Sequence, residues 1–149
     1  MVSVPSPSLD ASATKPSPVW YYNQKTGGVY ELVVGRSQHV WTLVGHGYSG
    51  RAEGKNNPRW EKVAGKGPIP QGLWQTGEAY TSKRLGAVAI PLRPCGNTWG
   101  RSAFLIHGDS RMFPGQASSG CIVLGLAVRR RIAARPGTYL LVGEGYPDI

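Results

Sequence analysis

His107 and Cys121 are the two residues of this sequence whose types and spacing could support covalent catalysis. A cysteine attacks as its thiolate, and a free thiol with a pKa near ~8.5 is only a few per cent ionised at neutral pH. A nucleophilic cysteine therefore needs a base or a cation beside it. We hypothesise that His107 activates Cys121, since each residue lies at the end of a predicted strand.

The elements that must position this pair are predicted from apolar runs and from turn residues. Upstream of the pair they are a β-hairpin of residues 28–34 and 38–44 with its turn at 35–37, a glycine-rich loop over 45–58, a short helix over 58–65, a rigid turn over 67–72, and strands over 73–80 and 87–92. Around and after the pair they are strands over 102–107 and 121–124, a helix over 126–134, and a last strand over 138–142. Asn57 is expected to cap the first helix, and the arginines of the second helix are expected to form a solvated face.

The composition predicts one mainly β domain. The chain has 149 residues, 40% of them apolar, with 21 glycines and 12 prolines, which favours a turn-rich β protein over a helical bundle. Residues 1–18 are rich in serine and proline and cannot bury much apolar surface, so we expect a flexible tail. The catalytic domain is then expected to span residues 19–149.

The charge balance limits the classes of partner. Seventeen Lys and Arg against eight Asp and Glu give a net charge of +9, which favours acidic partners such as an anionic cell-wall polymer or an acidic protein. Nothing in the sequence resembles a nucleic-acid recognition motif, so we expect no nucleic-acid partner. No cysteine or histidine pair has the close spacing of a structural zinc site, so neither a metal nor another cofactor is expected.

The sequence contains two cysteines, which could in principle pair in an oxidising compartment. A stable disulfide would abolish the activity of a nucleophilic Cys121. We therefore expect two free thiols, with Cys95 packed and inert.

Five short motifs occur in order along the chain: Tyr48-Ser49-Gly50, Asn56-Asn57-Pro58, Gly67-Pro68-Ile69-Pro70-Gln71-Gly72, His107-Gly108-Asp109 and Ala117-Ser118-Ser119-Gly120-Cys121-Ile122. The last two resemble the active-site signature of the L,D-transpeptidase (YkuD-like) superfamily. The whole series resembles the type VI secretion L,D-transpeptidase effectors, over residues 20–145. This resemblance implies a β-sandwich or barrel with one or two short helices and a groove over the two site strands.

The resemblance also implies an activity. Members of the family cleave or exchange the terminal D-alanine of peptidoglycan tetrapeptide stems, as L,D-carboxypeptidases or L,D-transpeptidases with a Cys–His pair. The effectors are antibacterial toxins that act in the periplasm of a rival bacterium. A cognate immunity protein and a component of the secretion system are the expected protein partners.

The resemblance also implies catalytic and binding roles for individual residues. In the family, the carbonyl of the residue after the histidine orients the ring, which gives Gly108 that role here, with the Asp109 carboxylate as the alternative. The backbone amides of Gly120 and Cys121 are candidate oxyanion donors, and Ser119 could contact the thiolate or hold the loop. The remaining candidates are substrate-binding or groove-lining residues: Tyr48, Ser49, Asp109, Arg101 and Ser118. A scaffold role is the alternative for Tyr48 and Ser49, and capping of the loop is the alternative for Asp109.

The sequence departs from the broader family at two of its site positions. Ser118 and Val123 stand where many L,D-transpeptidases have a second histidine and an arginine. Arg101 is a candidate replacement for that arginine as the group that binds the stem carboxylate, although an ordinary surface arginine is the alternative.

The N-terminal sequence and the apolar runs predict where the protein acts, and the motifs also bear on the alternative functions. The N-terminus lacks the features of a signal peptide and no run is long enough to span a membrane, so we expect synthesis in the cytoplasm, secretion, and no membrane insertion. A papain-like wall hydrolase is disfavoured, because in those enzymes the cysteine precedes the histidine. A cell-wall remodelling enzyme that is not a toxin and a non-enzymatic basic binding module remain as alternatives.

Overall fold

A computed structural model describes residues 16–147 of the chain. The predicted tail therefore lies outside the described residues, apart from residues 16–18, which form no helix or strand. Within residues 16–147, no helix is long and apolar enough to cross a membrane.

The protein is mainly β, as predicted. The described residues contain ten strands: β1 (Trp20–Asn23), β2 (Gly28–Val34), β3 (His39–His46), β4 (Tyr48–Ser49), β5 (Gly72–Thr76), β6 (Tyr80–Ser82), β7 (Gly86–Pro94), β8 (Leu105–His107), β9 (Ile122–Val123) and β10 (Tyr139–Gly143). In the same part of the chain, the α-helix α1 spans Leu126–Ala133, and two single-turn 3₁₀ helices span Ala52–Gly54 and Pro58–Trp60. The Asn57 side chain caps the second of these by accepting from the Arg59 amide at 3.2 Å.

The strands form a mixed sheet in the order β3-β2-β1-β10-β5-β7-β8-β9-β4, with β6 paired to β7. Two neighbouring pairs are parallel, β1 with β10 and β8 with β9, and the other pairs are antiparallel. Strands β8 and β9 correspond to the predicted histidine strand and cysteine strand, so their pairing positions the candidate site.

Three predicted elements differ from the structure. The strand expected over 73–80 ends at Thr76, and Tyr80–Ser82 forms a separate strand on β7. Strand β7 continues past Leu92 to Pro94, because Arg93 and Pro94 pair with Gln75 and Trp74 of β5. The histidine strand begins only at Leu105, since Ala103 has a positive φ of 63°.

Tyr48 and Ser49 also differ from the expected open loop. They form β4, which is buried and pairs with β9 in the register Tyr48↔Val123 and Ser49↔Ile122. This first motif of the sequence therefore lies directly beside the cysteine strand.

The core lies between the sheet and helix α1. It contains large side chains that are almost fully buried, among them Trp20, Tyr22, Trp74, Ile106 and Ile132. Burying each such side chain contributes about 1.5–3 kcal/mol to folding. The core packs beneath β8 and β9 and so fixes the strands that carry the candidate site.

Helix α1 is also attached to the sheet by charge. The buried Glu31 of β2 pairs with Arg131 at 2.7 Å and with Arg135 at 3.3 Å. Arg131 is exposed, as predicted for a solvated helix face, and its guanidinium also pairs with this buried carboxylate.

Candidate active site

Strands β8 and β9 bring the predicted pair together. They run parallel in the register Ile106↔Ile122 and His107↔Val123, so Cys121, just before β9, lies across from Leu105. The Leu105 amide donates to the Cys121 Sγ at 3.3 Å, which agrees with that position. Because residues two apart on a strand point to the same face, His107 and Cys121 lie on one face of the sheet.

His107 is 2% exposed and its ring is oriented by its own chain. Nδ1 lies 2.7 Å from the Gly108 carbonyl, and because a carbonyl only accepts, Nδ1 carries the proton and Nε2 keeps its lone pair. Burial lowers the pKa of His107, the charges of Arg84 and Arg129 lower it further, and the Gly108 hydrogen bond opposes them. The imidazole is therefore neutral at pH 7 and able to accept a proton.

The Cys121 thiol is held by backbone groups. It accepts from Leu105 and donates to the Ala103 carbonyl at 3.7 Å, and within residues 16–147 no hydrogen bond joins it to the His107 ring. Burial raises the pKa of Cys121, against the Leu105 amide and the charges of Arg84 and Arg101, which lower it. With a raised thiol pKa and a lowered imidazole pKa, both groups are neutral at rest.

Ser118 lies beneath the loop that carries the cysteine. Its side chain is buried, and Oγ donates to the Cys121 carbonyl at 2.6 Å. The same oxygen accepts from the amides of Gly50 at 2.9 Å and Gly120 at 3.1 Å. The expectation that Ser118 binds substrate is corrected here, since its hydroxyl is fully used in positioning residues 120–121.

Ser49 and Tyr48 likewise hold the site from within. The buried Ser49 hydroxyl donates to the Gly120 carbonyl at 2.9 Å and accepts from the Ile69 amide at 2.8 Å. The Tyr48 hydroxyl donates to Asp109 at 2.6 Å, while the ring is 8% exposed and lies under the Lys55 ammonium at 4.3 Å. These contacts favour the scaffold alternative for both residues.

Asp109 shapes the loop after the histidine. Its carboxylate accepts from Tyr48 and from the amides of Ser110 and Gly115. Its slight burial acts to raise the pKa of Asp109, but these hydrogen bonds outweigh burial and the pKa lies below its usual value. Asp109 does not hydrogen-bond the His107 ring, whose Nδ1 position is taken by the Gly108 carbonyl.

Arg101 is buried, which corrects the surface alternative. Nη1 donates to the carbonyls of Glu61 at 2.5 Å and Pro68 at 2.8 Å, and Nη2 donates to those of Gly67 at 2.9 Å and Ser119 at 3.1 Å. These four bonds use every proton of its two terminal nitrogens. The expected contact with a substrate carboxylate would require breaking them, so Arg101 positions the loops around Cys121.

Gly120 is required next to this arginine. It has a φ of +143°, and a Cβ there would overlap the Arg101 Nη2 and lie 3.1 Å from Phe104. Its amide donates to Ser118, so this N–H is already paired inside the protein. The expectation that Gly120 donates to an oxyanion is corrected accordingly.

Two further arginines, which sequence reasoning did not connect to the site, contribute to it. Arg129 of α1 donates to the carbonyls of Leu124 at 2.9 Å and Ala87 at 2.7 Å, and its Nη2 lies 2.7 Å from where a Gly108 Cβ would be. It therefore ties α1 to β7, lies against Gly108 and is only partly solvated. Arg84, in the β6–β7 turn, is exposed, and its charge acts on both His107 and Cys121.

A cavity of about 390 Å³ opens beside the thiol. Cys121, Gly120, Ser119, Arg101 and Arg84 are among its lining residues, and no carboxylate lines it. The Ser119 side chain is exposed and has no hydrogen bond within the described residues, so it is free to contact a ligand. An acyl group could reach Sγ from this side.

The remaining cysteine and histidines lie elsewhere. Both cysteines are free thiols, but Cys95, which directly follows β7, is exposed and not packed as expected. His39 and His46 mark the two ends of β3 and are exposed. Within residues 16–147, no group of three or more His, Cys, Asp or Glu side chains could hold a metal ion.

Comparison with known proteins identifies a family and solved structures with a similar fold. The family model of the Tlde1 domain, a type VI secretion effector domain, matches residues 44–138, more than half of the chain and including every candidate site residue. The solved structure of Bdellovibrio bacteriovorus Bd1075 shares the fold, with a TM-score of 0.62 at 15% identity over 93% of this chain. The chain spans 52% of the length of that protein. No curated protein matches the chain significantly.

Proposed function

Because the chain belongs to the Tlde1 domain family of type VI secretion effector domains, we propose that it is a cysteine-dependent enzyme that modifies peptidoglycan tetrapeptide stems. The observation that supports the proposal is the parallel β8–β9 pairing, since it carries His107 and Cys121 on neighbouring strands, and Cys121 lines an open cavity. The activity is that of an L,D-carboxypeptidase, or of an L,D-transpeptidase that exchanges the terminal D-amino acid.

In the first half-reaction, His107 acts as the general base. Nε2 accepts the thiol proton as Sγ attacks the carbonyl carbon of the third stem residue, since both groups start neutral. The S–C bond forms, the C–N bond to D-alanine breaks, and the imidazolium returns the proton to the leaving amine. D-alanine departs and the stem remains as a thioester on Cys121.

In the second half-reaction, an acceptor attacks the thioester. Water gives the tripeptide carboxylic acid, and the amine of a D-amino acid gives an exchanged stem. In both cases His107 takes the proton of the acceptor and returns it to the departing sulfur, so that the thiol is restored.

The tetrahedral intermediate carries an oxyanion beside Cys121. Since the Gly120 amide is paired with Ser118, the Cys121 amide is the backbone donor that we assign to this oxyanion. Ser119 lies in the same cavity with a free hydroxyl and is the side chain placed to assist.

The site of action follows from the family. A type VI secretion effector with this chemistry would be delivered into the periplasm of a competing bacterium, where the stems are accessible. The producing cell would need an immunity protein, and an acidic one would complement the net charge of +9. This context favours a toxin over a cell-wall remodelling enzyme of the producer.

Purified tetrapeptide muropeptides test the activity. We expect the mass of one D-alanine to be lost, or that residue to be replaced when another D-amino acid is added, and this product also separates hydrolysis from exchange. Cys121→Ala should abolish the reaction and Cys95→Ala should leave it intact, since Cys95 is exposed and lies outside the candidate site. Unchanged stems with folded wild-type protein would refute the proposal.

A cellular experiment tests the toxin role separately. The wild-type protein directed to the periplasm should cause lysis or growth arrest, and the same protein kept in the cytoplasm should not. Killing by a Cys121→Ala variant would instead support a binding module without catalysis.

A further inference from the structure

Three arginines lie near the reaction centre, and two of them are held by backbone carbonyls. Both terminal nitrogens of Arg101 donate to such carbonyls, so Arg101 cannot bind a ligand through them without breaking hydrogen bonds. Arg129 donates through Nε and Nη1 to the carbonyls of Leu124 and Ala87, and it does not line the cavity that contains the thiol.

Arg84 differs from both. It lies in the turn between β6 and β7, is exposed, and has no hydrogen bond or ion pair with any residue in the described part of the chain. The Leu85 amide donates to the Ser82 hydroxyl at 3.0 Å, which closes this turn without using the arginine. Its guanidinium therefore keeps all of its donors available to a ligand.

The position of Arg84 places those donors at the thiol. Arg84 lines the cavity of about 390 Å³ that contains Cys121 and Ser119, and it also lines a neighbouring cavity of about 400 Å³ that contains Gly108 and Asp109. The first cavity has two arginines and no carboxylate in its lining, so it attracts anions. Asp109, the acid of the second cavity, is already occupied by Tyr48 and two backbone amides.

We propose that the Arg84 guanidinium binds a carboxylate of the substrate directly beside Cys121, and so selects peptides whose leaving residue ends in a free carboxylate. A planar guanidinium matches a carboxylate with two parallel hydrogen bonds. Bound there, a stem would present the carbonyl that precedes its last residue to Sγ. This specificity rests on the proposed function, but anion binding beside the thiol does not.

Alkylation with a charged and a neutral reagent tests anion binding without any peptidoglycan substrate. In a Cys95→Ser background, Cys121 is the only thiol, and its rates with iodoacetate and iodoacetamide can be measured separately. The ratio of the two rates cancels changes in thiol reactivity, because both reagents attack the same sulfur. The ratio therefore measures how strongly the site prefers the anionic reagent over the neutral one.

We expect Arg84→Gln to lower the iodoacetate-to-iodoacetamide ratio by about two- to five-fold, the range for one exposed ion pair. Lys83→Gln is the matched control, because Lys83 is the adjacent cation but lines only the second cavity, and it should change the ratio by less than Arg84→Gln. Arg84→Lys should retain much of the preference. An unchanged ratio in Arg84→Gln, or an equal loss in Lys83→Gln, would overturn the proposal.

Peptide substrates then test the specificity. Arg84→Gln should raise KM for a tetrapeptide with a free terminal carboxylate more than for the same peptide ending in an amide, with a smaller change in kcat. Equal losses on the two peptides would overturn the assignment of the carboxylate to Arg84. If no peptide reacts with the wild-type protein, the proposed function fails while the alkylation ratio still decides whether Arg84 binds anions.

Discussion

Replacing Ser118 with alanine should lower the free energy of unfolding by about 2–4 kcal/mol, although only one oxygen atom is removed. The buried hydroxyl donates one hydrogen bond to the Cys121 carbonyl and accepts two, from Gly50 and Gly120. Each bond contributes about 1 kcal/mol net, and each buried group left without a partner costs about 1–3 kcal/mol. The loss should therefore exceed that of an ordinary serine substitution.

The adjacent Ser119 provides the matched control. Its side chain is exposed and has no hydrogen bond within residues 16–147, so Ser119→Ala should change stability by less than about 0.5 kcal/mol. Urea unfolding of the two variants, followed by tryptophan fluorescence, measures the difference. Equal stabilities of Ser118→Ala and Ser119→Ala would refute the reasoning that Ser118 holds the loop.

Three more perturbations test other parts of the structure. Gly120→Ala should lose activity and stability, since its Cβ would overlap Arg101 at a positive φ, while Gly96→Ala, with open space around it, should change neither in the same assays. As the pH drops, kcat/KM should fall with a midpoint below 6.5, because the pKa of His107 is lowered and protonation removes the base. A midpoint above 6.5 would contradict the conclusion that His107 and Cys121 are both neutral at rest. Glu31→Gln should lower the unfolding free energy by about 1 kcal/mol, with a smaller difference in 1 M salt, where ion pairs are screened; a difference that does not change with salt would argue against an ionic contribution.

The fold could be predicted where the local pattern and the tertiary environment agree. The hairpin of β2 and β3, the helix from Leu126 and the last strand follow the apolar periodicity and the turn residues closely. The continuation of β7 beyond Leu92 could not be predicted, because it depends on the pairing of Arg93 and Pro94 with β5. The burial of β4 could not be predicted either, since it depends on pairing with β9, far away in sequence.

For the site, the sequence predicted a candidate pair of reactive residues but not the contacts that support them. His107, Gly108 and Cys121 come from one short motif, and the structure places them at the ends of paired strands. Whether Tyr48, Ser49 and Ser118 touch substrate or hold the loop depends on burial and hydrogen bonds, which no motif specifies. Nothing in the sequence distinguishes Arg84 and Arg129 from the other basic residues, seventeen in all. Only the packing of α1 and of the β6–β7 turn brings these two arginines to the site.

A covalent adduct on Cys121 tests most directly whether this thiol is the nucleophile. Wild-type protein mixed with tetrapeptide stems, quenched in acid within the first turnover and digested, should yield the Cys121 peptide carrying the stem without its terminal D-alanine. The Cys95 peptide should remain unmodified, and no adduct should form in Cys121→Ala. Release of D-alanine at an undiminished rate by Cys121→Ala, with no adduct on the wild-type thiol, would contradict the account.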